Sequence, residues 1–373
     1  MSSELFGPIF VPDDLRGAVS PHAWVQAMLD AERALARARG IDGVAEACDA
    51  SLYDVAAIAQ DARAAGNPVE PLARALRERS GVAEAHVGAT SQDILDTAAM
   101  LVSQRARTLI VAELDGAARA CAELADAHRG TVTAARTLLQ QAVPTTFGLT
   151  AATWLSGLLH GRRQLLGVPL QAQLGGAGGT LALLGDDALD ILRAYAAELG
   201  LQEPVVPWHA VRGPVRELAG ALDVTAGAAA KIGLDVLLLA QDEVAEVVVP
   251  PGGASSTMPH KRNPIGAVRA RACARRAHAL AGVFDGEHEH QRAAGAWHAE
   301  WESLGDLLAA AGGAVAGARE AVEQLDVAAE RMRANLRPQT TSEAGRAVEP
   351  EDYLGAADAL VDRALDAFRR EIG

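Results

Sequence analysis

Apolar residues recur at helical spacing over most of the chain. Trp24, Met28, Ala31 and Leu35 fall at steps of three and four, on one face of a helix. Ser20-Pro21 opens that helix with a cap and a proline at the first helical position, and it is expected to run to about Arg39. Shorter helices are predicted over 52–65 and, after Pro68, over 69–79. A long one follows from about Gln92 to Arg129, with Thr90 or Ser91 as its cap and Asp93 in the first turn, where a carboxylate suits the helix dipole. Further helices are expected over 146–166, 187–199, 214–249, 264–286, 301–336 and 353–372. Helices of this length imply an all-α bundle rather than a compact globule. The pattern divides into an N-terminal helical part (1–96), a central long-helix bundle (97–336) and a tail with a short helix (337–373).

Polar segments lie at the ends of these helices or between them, and the chemistry sits there. The first is His86-Val87-Gly88-Ala89-Thr90-Ser91-Gln92-Asp93. The second, Ala135–Thr146, includes Arg136-Thr137-Leu138-Leu139-Gln140. The third, Pro250–Pro264, holds four prolines, adjacent glycines and hydroxyls, Lys261 and Asn263. The prolines forbid a continuous helix or a central strand there. The fourth, Glu287–Glu302, gathers His288, His290 and His298 with four glutamates and Arg292. A zinc site would use such residues, but there is no HExxH and the spacing does not converge three ligands, so ion pairing and substrate contact are the expected uses. The glycine-rich connector Gln173–Thr180 lacks the full GxGxxG spacing and the strand–helix alternation of a dinucleotide fold.

Composition narrows the picture. Half the chain is hydrophobic but only 3% is aromatic, so the core is mostly Ala, Leu and Val, and the helices must approach closely. The net charge of -14 disfavours nucleic acid as a partner, whereas local arginines can still take a small anion. No apolar run approaches the roughly 20 residues of a membrane span, and the N-terminus lacks the features of a secretory signal. Cys48, Cys121 and Cys273 are odd in number and unpaired in spacing, as expected for a reducing cytoplasm. Of the 34 Lys and Arg residues only Lys231 and Lys261 are lysines. A lysine inside the third segment therefore suggests a task needing a compact cation.

Brought together, these segments would offer hydroxyls, amides, cations and imidazoles to a carboxylate-rich substrate. Cations and amides stabilise the charge that develops when a carbon beside a carboxylate ionises. At ~1.5 Å of rise per residue, long helices keep the segments tens of ångströms apart within one chain. Sites assembled across subunits follow as an expectation.

Gly253-Ala254-Ser255-Ser256-Thr257-Met258-Pro259-His260-Lys261-Arg262-Asn263-Pro264 resembles the GSSxMPxKxNP signature of the fumarase/aspartase superfamily, with Ala254 in place of a glycine. His86–Asp93 and Trp297-His298-Ala299-Glu300-Trp301-Glu302 resemble the HxGATSQD and WHAEWE segments of its cycloisomerase branch. Fumarases and adenylosuccinate lyases carry a histidine near the position of Leu138, and a leucine cannot shuttle protons. The resemblance implies a cytoplasmic homotetramer with shared active sites and no metal or organic cofactor. It also implies lactone closure of a small tricarboxylate, 3-carboxy-cis,cis-muconate, in protocatechuate degradation. Ser256, Lys261 and Asn263 would be catalytic; His86, Thr90, Ser91, Arg136, Gln140, His290 and Arg292 would bind substrate. The family's C-terminal helical domain is expected to be largely missing here. Two alternatives remain: a fumarate-releasing lyase of the adenylosuccinate lyase kind, and a non-catalytic structural member.

Overall fold

The computed structural model describes residues 4–249, 262–286, 288–323, 325–336 and 349–373. Two short helices, α1 (Gly7–Phe10) and α2 (Asp13–Ala18), precede α3 (Pro21–Ala38). Ser20 caps α3, accepting a hydrogen bond from the backbone N–H of Ala23, as the Ser-Pro pair predicts. Helices α4 (Val55–Ala65) and α5 (Val69–Ser80) each end on a glycine in the left-handed conformation, Gly66 and Gly81.

Five long helices form the body: α6 (Ser91–Ala127), α7 (Phe147–Gly167), α9 (Gly213–Leu239), α10 (Ile265–Ala281) and α11 (Ala296–Glu323). Arg212 bonds to both Asp96 and Glu300, so α6, α9 and α11 all begin at one end, here called the head. Gly266 at the start of α10 packs on Gly317 and Ala321 near the end of α11, so α10 runs the opposite way. So does α7, which follows the hairpin at the far end of α6 and finishes near Arg107, whose guanidinium donates to the Val168 carbonyl. That far end is the tail.

The small residues of the core act as expected. A Cβ on Gly266 would lie 2.8 Å from the Gly317 carbonyl oxygen, and one on Gly233 would lie 2.7 Å from that of Ala267. Backbones therefore touch along the seams of α10 with α9 and α11, where bulky side chains would hold them apart. On the outside, α8 (Ala188–Leu199) packs on α3. At the tail, α12 (Ala329–Asn335) lies on a hairpin and α13 (Ala357–Glu371) lies on α7, with Arg129 reaching Asp358 and Asp362.

Helix α10 ends at Ala281, five residues before its expected end, and three further places differ from the pattern read in the sequence. The segment around Arg136 is a hairpin, β1 (Val132–Thr137) and β2 (Gln140–Thr146), joined by Leu138-Leu139. Its β-branched ends and the proline in β2 favour extended backbone. Helix α9 stops at Leu239, ten residues short of the predicted end, and Val247-Val248 (β3) instead pairs with Asp326-Val327 (β4). Strand pairing captures that valine run because its partner lies beside it at the tail. The last long helix begins five residues early, at Ala296, and breaks before β4 into α11 and α12.

Leu138 and Leu139 have φ of 50° and 62° and are 96% and 75% exposed. Two successive left-handed residues make the turn that asparagine and glycine normally fill, so both leucines carry backbone strain. Replacing the pair with Asn-Gly is expected to stabilise the fold by roughly 1–2 kcal/mol, raising the thermal midpoint.

Candidate active site

Asp93 organises the head. Its position in the first turn of α6 lets one carboxylate reach both the turn before the helix and the glycine connector. Oδ2 accepts from the backbone N–H of Thr90 at 2.8 Å and of Gly176 at 2.9 Å. Oδ1 accepts from Gly175 N–H at 2.9 Å and lies 2.6 Å from His209 Nε2. The connector has to be glycine here: a Cβ on Gly175 would meet the His209 ring at 2.7 Å, and Gly176 has φ of 69°. Gly88 is equally constrained, with φ of 98° and the Leu184 side chain 2.4 Å from where a Cβ would stand.

The connector carbonyls then hold Arg292. Its Nη2 donates to Gly176 O at 2.7 Å and Ala177 O at 3.2 Å, and its Nη1 to Gln291 O at 2.6 Å. No carboxylate within 4.0 Å pairs with Arg292 among the described residues, so its charge remains available to an anion. His290, two residues before, is exposed and has φ of 45°. His86 lies on the other side of Gly88, with Nδ1 2.6 Å from Glu32 Oε1. Burial pushes its imidazole down, but the Glu32 charge and hydrogen bond push it up further, leaving it above the usual histidine value. Ser91 opens onto a cleft of about 750 Å³ that Asn67 and Arg74 also line.

Beneath this surface lies a buried ion cluster. Arg212 Nη1 and Nη2 donate to the two oxygens of Asp96 at 2.7 and 3.0 Å, while its Nε donates to Glu300 at 3.1 Å. Trp297 Nε1 donates to Asp96 Oδ1 at 2.9 Å, and the Trp208 ring lies 4.8 Å below the guanidinium. The three charged side chains are all 5% exposed or less. Burial alone would lower the Arg212 pKa; Asp96 and Glu300 raise it instead, keeping the cation charged. The WHAEWE stretch therefore works mainly inside the protein, tying α11 to α6 and α9. The histidines of the fourth segment also diverge: the His288 side chain is buried 3.4 Å from Glu300, whereas His298 meets the Trp297 ring edge-on.

The tail holds the other predicted residues. Arg136 donates Nη1 to Glu246 Oε2 at 2.9 Å and Nη2 to Oε1 at 2.5 Å. Glu246 is fully buried and also receives Asn335 Nδ2 at 2.8 Å. Arg136 is thus spent on fixing the hairpin to the run that leads into Pro250. Gln140 is exposed at the start of β2. Asn263 sits two residues before α10. Ser256 and Lys261 lie outside the described residues.

The predicted residues thus fall into two sets. His86, Thr90, Ser91, His290 and Arg292 are at the head; Arg136, Gln140 and Asn263 are at the tail. The 37 residues of α6 separate them by about 55 Å. Glu32, His209, Arg212 and Glu246 were not singled out from the sequence, because each acts through partners remote in the chain. The one local signal was their presence as charges or a histidine within largely apolar stretches.

Comparison with known proteins agrees with this architecture. The family described as lyase matches residues 17–278. The chain is 43% identical to a 3-carboxy-cis,cis-muconate cycloisomerase of Bradyrhizobium diazoefficiens, over 90% of this chain and 79% of that protein. It is also 43% identical to a nitrosuccinate lyase of Streptomyces davaonensis, over 90% and 77%. The crystal structure of 3-carboxy-cis,cis-muconate lactonizing enzyme from Pseudomonas putida superposes with a TM-score of 0.91 at 34% identity, over 99% of each chain.

Proposed function

The chain belongs to the lyase family, within the fumarase/aspartase superfamily, and on that footing we propose that it closes 3-carboxy-cis,cis-muconate to 4-carboxymuconolactone in aromatic-compound breakdown. A carboxylate oxygen of the substrate forms a C–O bond to one end of a double bond. The π electron pair moves to the carbon beside another carboxylate, which becomes an aci-carboxylate. The Ser256 hydroxyl then gives its proton to that carbon. Lys261 and Asn263 hold the doubled charge of the aci-carboxylate, which is the largest charge change on the path. Three substrate carboxylates need several donors: His86, Thr90, Ser91, His290 and Arg292 from the head, and Gln140 from the tail. Arg136 serves by holding the hairpin in place.

The observation that carries this reading is Leu138. It stands at the tip of the hairpin, 96% exposed, where fumarases and adenylosuccinate lyases carry a histidine by the resemblance. An internal addition needs no second base at that point, since the nucleophile is already an ionised carboxylate. Because head and tail are separated by the length of α6, we also propose a homotetramer whose sites combine the two ends of different copies, acting in the cytoplasm. We also propose the three-part division at 96 and 336, with α6 spanning the first boundary. The part before 97 carries the His86–Ser91 turn of the head, and the bundle carries the rest of the head and the tail.

The 43% identity to a nitrosuccinate lyase favours one second reading, elimination from a nitro-substituted succinate. Two assays separate them. Loss of the conjugated-diene absorbance of 3-carboxy-cis,cis-muconate, with no nitrite released from nitrosuccinate, is the expected result. Nitrite release without diene loss would replace the cycloisomerase by the lyase. Inactivity on both, and on adenylosuccinate and argininosuccinate, at high protein concentration would favour a structural role.

A further inference from the structure

Glu32 lies near the middle of α3, on a helix face shared with buried Val25, Met28, Leu29, Leu35 and Ala36, and is 2% exposed. A carboxylate in such a place costs several kcal/mol unless something compensates it. One oxygen has a partner, His86 Nδ1 at 2.6 Å. The other, Oε2, is buried with no partner among the described residues. A residue serving only the fold would be better replaced here by a methionine or leucine.

The histidine end of the pair is just as constrained. His86 has φ of 70°, a conformation that a histidine adopts only at a cost. The backbone around it is tied down: Arg39 Nη1 donates to the carbonyls of Glu84 and Val87, and Arg77 Nη1 to that of Ala85. The ring is therefore held from below by Glu32 and along its chain by two arginines. No second hydrogen bond engages it among the described residues, and its side chain is 18% exposed. With Nδ1 turned to the buried carboxylate, Nε2 is the nitrogen left for a ligand.

We propose that Glu32 is a positioning residue, which fixes the His86 ring by Nδ1 and sets a buried negative charge behind it, so that Nε2–H donates to a substrate carboxylate. The inference rests on the reading of His86 as a carboxylate contact. The groups acting on the ring come from three elements: Glu32 on α3, Arg77 on α5 and Asp93 on α6. Glu32 and Asp93 favour the charged form, while Arg77 and burial oppose it. A neutral imidazole could still accept or donate one bond, but it would bring no charge to an anion carrying three.

The test is the titration of His86, followed in the full-length protein through 13C-labelled histidine and assigned by comparison with His86→Asn. The wild-type midpoint is expected above the usual histidine value. Glu32→Gln keeps an acceptor for Nδ1–H but removes the charge, so the midpoint should fall. In turnover of the muconate, Glu32→Gln should raise KM on the order of tenfold, leave kcat within about threefold, and approach wild type as the pH is lowered. A wild-type midpoint at or below the usual value would overturn the proposal, even if the variant fails to fold. So would a folded Glu32→Gln protein with an unchanged midpoint. A midpoint that falls as expected in a protein inactive on muconate would leave the Glu32–His86 coupling standing and overturn the substrate reading instead.

Discussion

Arg212→Leu is expected to destabilise the protein by about 3–5 kcal/mol, because it leaves two buried carboxylates without their shared cation. Asp96 and Glu300 are 2% and 4% exposed, and neither can turn to water without opening the head. Trp297 and Gln92 still donate to Asp96, but neutral donors do not offset a second negative charge a few ångströms away. Proteins of this kind are stable by only about 5–15 kcal/mol, so the loss would be a large part of the total. Denaturant unfolding measures it. The triple variant Arg212→Leu, Asp96→Asn, Glu300→Gln should recover much of the deficit, since no charge is then buried alone. Equal instability of the single and triple variants would mean that packing of the arginine over Trp208, 4.8 Å away, matters more than its charge.

That cluster also marks the boundary of what the sequence reveals. The helical periodicity placed α3, α5, α6, α7 and α8 within a residue or two of their observed ends. Local signals were sufficient there: Ser20-Pro21, the Thr90 cap with Asp93, and glycines past the last turns. The hairpin around Arg136 was missed. Its turn is Leu138-Leu139, which has none of the glycine or asparagine that announces such a turn. The early end of α9 was missed for a different reason. Val247-Val248 becomes a strand only because Asp326-Val327 lies beside it, a contact across almost eighty residues. Four polar segments at helix ends were legible, and the lyase family shows the kind of protein they belong to. What supports those segments was not legible. Asp93 was read as a helix-end charge, yet it also binds two glycine amides and His209; Arg136 was read as a substrate contact, yet it is bound to Glu246. Periodicity describes one element at a time, and these partners belong to two.

Ser256→Ala and Arg292→Ala are each expected to lower turnover of the muconate by at least about a thousandfold, but for unrelated reasons. On the proposed mechanism the first removes the proton donor at the reacting carbon, which an unpositioned water would not replace. The second removes the cation that, on the same reading, the head presents to the substrate, with its backbone supports on Gly176 and Ala177 left idle. The informative experiment is to mix the two inactive proteins, unfold them together and refold them. Arg292 stands at the head, whereas the chain enters the Ser256 loop from Glu246 and Val247 at the tail, some 55 Å away along α6. If each site takes its head from one copy and its tail from another, random association of equal amounts makes about a quarter of the sites intact. Activity should therefore return to roughly that fraction of wild type, with KM unchanged because the restored sites contain every native group. A site built within a single chain gives no intact combination and no recovery. The same mixture made with Arg212→Leu in place of Arg292→Ala should recover less, since its defect lies in the stability of the copy rather than in one contact.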